Sequence, residues 1–73
     1  MKLVKIKSKK VQNKSNGYIF IGKSNFQNKF MFKNIYEILT LIAPSETEYA
    51  ENINGVWYWL IKEDIKILDT QKI

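Results

Sequence analysis

No cysteine occurs among the 73 residues of this chain, so neither a disulfide nor a thiolate zinc site can brace it. A chain this short builds one core, worth only a few kcal/mol of net stability. Side-chain packing must therefore carry the fold. Four Phe, four Tyr and two Trp supply large buried area at low entropic cost. Residues 1–73 read as a single domain, and oligomerisation is the remaining way to add stability.

The apolar residues are spaced mainly for strands. Val4 and Ile6 alternate with Lys5, Lys7 and Lys9 in the run 2–11, which reads as a strand with an outer row of ammonium groups. Asn16-Gly17 suits a type I′ hairpin, so Tyr18-Ile19-Phe20-Ile21 is expected to pair back on that first strand. A third short strand, 29–33, sets Phe30 and Phe32 on one face. Next, Asn34 and Glu37 have a variant capping-box spacing, and Ile35, Ile38, Leu39 and Ile42 fall at i, i+3, i+4 and i+7 before Pro44. This predicts one main helix over 34–43. Residues 45–54 fit a short helix or a loop, because Ser45 and Glu48 resemble a second capping box while Asn54-Gly55 would close either a helix or a hairpin. Strands are expected at 56–61, with Trp57, Trp59 and Ile61 on one face, and at 65–68 after a turn at Glu63-Asp64. The expected class is α+β: about five antiparallel strands, with the helix between strands 3 and 4.

Charge is split along the chain. The first 33 residues carry nine lysines and no acid, whereas the rest carry three lysines and seven acids, leaving +5 overall. Such asymmetry points to a partner bearing phosphates or carboxylates. Lysines also keep strand edges from aggregating. Every basic residue is lysine, which neutralises an anion as a point charge, whereas bidentate reading of guanine belongs to arginine. Any nucleic-acid binding should accordingly be sequence-tolerant.

Catalytic chemistry has few candidates. Histidine and cysteine are missing, Glu46, Glu48 and Glu51 lie in a polar stretch, and adjacent carboxylates in a turn at Glu63-Asp64 keep ordinary pKa values. We therefore expect no enzyme activity, no catalytic or metal-ligating residue and no cofactor. Lysines interrupt the apolar residues of 1–7, and the longest apolar stretches, 38–43 and 56–61, fall far short of the roughly 20 residues that span a bilayer. These features predict a cytoplasmic protein with no membrane partner. Gly17 to Ser24 matches the phosphate-loop pattern G-x-x-x-x-G-K-[ST], but four strand-forming residues fill its interior, where a phosphate loop needs a flexible turn before a helix.

The stretch Asn16-Gly17-Tyr18-Ile19-Phe20-Ile21 resembles the first nucleic-acid-binding motif of cold-shock domains. Gly17, Tyr18, Phe20 and Ile21 match; Asn16 stands in place of a basic residue and Ile19 in place of a glycine. Phe30-Met31-Phe32 is similar to the second aromatic strand of that family, without its histidine. The resemblance covers residues 16–33. It implies an oligonucleotide-binding (OB-like) barrel of five strands, whose order agrees with the reading above, and single-stranded nucleic acid as ligand.

Two functions follow. In the first, Lys5, Lys7, Lys9, Lys10, Lys14 and Lys23 track an anionic partner, nucleic acid or an acidic protein surface, while Tyr18, Phe20, Phe30 and Phe32 stack on bases. Those rings are equally suited to the core. Trp57 and Trp59 form the alternative partner surface. The second function is a protein–protein interaction module, of the kind phages and mobile elements use to inhibit a host complex, with a small SH3-like barrel as its fold.

Overall fold

A computed structural model gives the fold and describes residues 1–24 and 27–62. Its strands are β1 (Lys2–Lys5), β2 (Ile19–Lys23), β3 (Lys29–Lys33), β4 (Ile38–Ile42), β5 (Thr47–Ile53) and β6 (Val56–Ile61). They form two three-stranded antiparallel sheets, ordered β1-β6-β5 and β2-β3-β4. A single helical turn, α1 (Lys9–Gln12), and a 3-10 turn at Lys14–Asn16 connect β1 to β2.

Alternation along each strand decides which face is buried. In β2-β3-β4, Phe20, Phe32 and Leu39 stand in one cross-strand row and Phe30 and Leu41 in the next, all turned inward. In β1-β6-β5 the inward row is Val4, Trp59 and Ala50. The two inner faces meet through their rings. Phe32 sits edge-on to Trp57 with centroids 5.2 Å apart, and Phe30 meets Trp59 at 5.4 Å. Edge-to-face pairs at this distance add to the burial of the rings themselves.

Three expectations need correction. The helix over 34–43 is a turn followed by β4. Asn34 does cap: its Oδ1 accepts from the backbone N–H of Tyr36 and of Glu37, at 2.8 and 2.9 Å. What it caps is a turn, because Leu39 and Leu41 fill the core while Ile38, Thr40 and Ile42 alternate outward. A short apolar run satisfies both periods, and β-branched residues favour the strand. The sheets do not close into a barrel, whether OB-like or SH3-like, and remain separate three-stranded units. The expected hairpin at Asn16-Gly17 is absent as well: Gly17, at φ 65°, ends the 3-10 turn, and β2 pairs with β3.

Elsewhere, the run read as one strand over 2–11 stops at Lys5, and Ser8 caps α1 by accepting from Val11 N–H. Residues 45–54 hold β5, with no helix in that stretch. Asn54 and Gly55, both at positive φ, close its two-residue hairpin with β6. The strand expected at 65–68 lies outside the described residues. Among those described, no helix is long and apolar enough to cross a membrane.

Candidate lysine groove

The break between β1 and α1 brings three lysines together. Lys5 ends β1, Lys7 lies in the connection that follows, and Lys9 opens α1; all three line an open groove of about 780 Å3. Val4, Ile6 and Val56 supply its apolar wall. Lys14, in the next turn, does not line the groove, but its stem passes over Gly55, which does, so closely that a Cβ there would lie 2.5 Å from Lys14 Cε.

Gln12 fixes this geometry. Its carboxamide donates to the carbonyls of Ile6 and Trp57, at 2.8 and 2.9 Å, and accepts from Trp57 N–H at 2.8 Å. The side chain thus stands in for backbone where the β1–β6 ladder ends. It ties α1 to the sheet at one end, while Val11 anchors the same turn in the core at 2% exposure. Sequence reasoning missed Gln12, Gly55 and Val56, since nothing local marks a side chain that bonds 45 residues away.

The remaining expected site residues divide among three other places. Lys10 lies in an ion pair with Glu37, 2.5 Å between Nζ and Oε2, and Tyr18 OH donates to the same carboxylate oxygen. The Lys10 hydrogen bond, helped by Tyr18, holds the Glu37 carboxyl below its usual range; in return Glu37 raises Lys10. Burial first, and Glu37 second, push the Tyr18 phenol up. This cluster is closed on itself, and Asn34 steadies it by donating to the Asn16 carbonyl at 3.0 Å. Lys23 stands at the end of β2, 5.7 Å above the Phe30 ring, in the other sheet.

The rings are core. Phe30 and Phe32 have no exposed surface, and Tyr18, Trp57 and Trp59 are buried too, so a base cannot stack on them. Phe20 is half-buried and stacks on Phe30. The pattern Gly17 to Ser24 contains β2, whose backbone is committed to pairing with β3.

Lys5, Lys7 and Lys9 have no carboxylate partner among the described residues, where Lys10 is the lysine that does. What the groove offers is therefore positive charge beside an aliphatic wall, on a scaffold held by Gln12 and Val11. Compared with protein-family models, with curated proteins and with solved structures, the chain shows no significant match.

Proposed function

We propose that this chain is a non-enzymatic binding protein that captures an acidic protein surface through the groove of Lys5, Lys7 and Lys9. The supporting observation is the convergence on one groove with an aliphatic wall of three ammonium groups that have no carboxylate partner among the described residues. Phosphates would satisfy the lysines equally well. Bases, however, want exposed rings, and the four aromatics expected to stack are buried or half-buried. An acidic protein segment uses both the charge and the aliphatic wall. Binding of this kind is how a small, cofactor-free protein redirects or inhibits a larger complex.

The test is fluorescence anisotropy with two labelled probes, a Glu/Gly peptide and an oligothymidylate, between about 50 and about 200 mM salt, a range over which charge-driven contacts weaken steeply. The peptide is expected to bind at low salt and to be released as salt rises. The triple variant Lys5→Glu, Lys7→Glu, Lys9→Glu should keep its circular dichroism and lose the peptide. Oligothymidylate binding without peptide binding would replace this reading with nucleic-acid recognition.

A further inference from the structure

The outer face of β2-β3-β4 has a composition the fold does not need. Ile19, Lys33 and Ile38 stand in one cross-strand row, and Lys29 and Ile42 in another, with Met31 and Thr40 between them. The isoleucines are open to solvent: 60% for Ile19, 61% for Ile38 and 74% for Ile42, with Ile21 beside them at 43%. A small protein rarely leaves so many large aliphatics on one sheet face unless something covers them.

The charges say what kind of cover. Lys29 and Lys33 rise from the middle strand, and no acidic residue stands on this face of the three strands. A second copy laid face to face would set lysines against lysines, which opposes self-pairing. Carboxylates from another protein would complete the pattern.

Shape narrows the partner further. Three strands place two spacings of about 4.8 Å side by side, roughly 10 Å across. That is the width of one α-helix, about 10 Å. Extended peptides add to sheet edges, whereas an exposed sheet face is covered by a helix or by another sheet.

Hollows lie at both ends of the face. At the turn between β3 and β4, an open hollow of about 550 Å3 is lined by Gly17, Ile19, Lys33, Asn34 and Ile35. Ile35 there is 88% exposed. At the other end Ile42 lines a second hollow, about 400 Å3, together with Lys5 and Lys7.

We infer that the outer face of β2-β3-β4 is a docking surface for an acidic amphipathic helix of a partner protein. Its apolar stripe covers Ile19, Ile38, Ile42 and the aliphatic stems of Lys29 and Lys33, whose ammonium groups reach out from the middle strand to carboxylates at the edges of the stripe. Ile19, Ile38, Ile42, Lys29 and Lys33 are not among the residues that line the lysine groove, so the proposal stands or falls independently of the groove reading.

Two synthetic helical peptides test it against the full chain. Both carry leucines at i, i+3, i+4 and i+7; one is flanked by glutamates and the other by lysines. The glutamate peptide is expected to bind and the lysine peptide not. Ile38→Ser with Ile42→Ser should weaken binding by about tenfold or more while leaving the melting curve in place. Lys29→Glu with Lys33→Glu should reverse the preference towards the lysine peptide, a result that mere loss of folding cannot produce. The Lys5, Lys7, Lys9 charge-reversal variant should retain the glutamate peptide within about threefold, since rim charges at another surface add little. Equal binding of both peptides, or of neither, overturns the proposal. So does a concentration-dependent dimer in sedimentation that the two serine substitutions abolish, because the occupant would then be a second copy.

Discussion

On the outer face of β1-β6-β5, Lys5, Tyr58 and Glu51 share one cross-strand row, so cation, ring and anion are neighbours within the sheet. The next row sets Leu60 between Leu3 and Tyr49, and Leu60 is only 6% exposed. On the outer face of β2-β3-β4, the row Ile19, Lys33, Ile38 has a cation with no anion and two aliphatics in solvent. Both sheets have three antiparallel strands and both bury an aromatic inner face. What differs is that the first outer face carries Glu51 beside its lysine and buries Leu60, although Leu3 stays 51% exposed, whereas the second has no acid on its strands and leaves Ile19, Ile38 and Ile42 in solvent. A sheet folds on its inner face, so folding does not require the three exposed isoleucines beside Lys29 and Lys33.

The largest effects should come from the inner faces, which the two sheets share. Phe32→Ala or Trp59→Ala removes a ring packed between the sheets and should cost about 3–5 kcal/mol, enough to unfold a domain this small. The contrast between the outer faces then sharpens. Leu60→Ala should cost about 2 kcal/mol or more, whereas Ile38→Ala, on the uncovered face, should stay within about 0.5 kcal/mol. Urea titration measures both. If Ile38→Ala destabilises as much as Leu60→Ala, the face is structural and the comparison breaks.

A smaller difference is expected at the amide side chains that finish each sheet. Gln12 bonds across 45 residues of sequence to hold α1 on β6, while Asn34 organises the local turn before β4. Gln12→Ala strands Trp57 N–H and the Ile6 carbonyl, and should cost about 1–3 kcal/mol. Asn34→Ala should cost nearer 1 kcal/mol, in the range of a lost cap. Thermal melts of the two variants give the order, and the reverse order would mean that the turn, not the α1 tie, is the weaker point of the fold.

The smallest effect concerns pH. Because Lys10 and Tyr18 lower the Glu37 carboxyl, its contribution is present above the ordinary carboxylate range and is lost as pH falls through the depressed value. Lys10 and Tyr18 are raised, so theirs is present below their ordinary values and is lost as pH rises through the raised ones. Glu37→Gln should therefore flatten the acid limb of the melting temperature against pH. It should flatten only part of the alkaline limb, because burial is the first cause of the Tyr18 shift. Melting curves that stay parallel in acid would show that this cluster does not couple to folding.

Strand 56–61 was legible in the sequence, with Trp57, Trp59 and Ile61 on one face, but not that this face is the buried one, since the two tryptophans also suited a partner surface. The inward pairing of Val4 and Ile6 was legible, and so was the interior of Gly17 to Ser24 as strand. Capping at Asn34 was legible as chemistry, but not its outcome, because a side chain that accepts two backbone N–H groups looks the same before a turn and before a helix. Sheet membership was not legible at all. Asn16-Gly17 tolerates positive φ in a hairpin or at the end of a 3-10 turn, and only long-range packing sends β2 to β3 and β1 to β6.

At the candidate sites the division is the same. Composition and alternation by themselves determined that the chain is basic at its start, braced by rings, and strand-forming over most of its length. Only the tertiary structure decided that Phe30 and Phe32 face Trp57 and Trp59 and are closed to a ligand, and that Lys5, Lys7 and Lys9 meet in one groove while Lys10 is spent on Glu37. It alone left Ile19, Ile38 and Ile42 outside. The physical reason is that alternation assigns residues to two faces of a strand, and which face is buried depends on the sheet that packs against it.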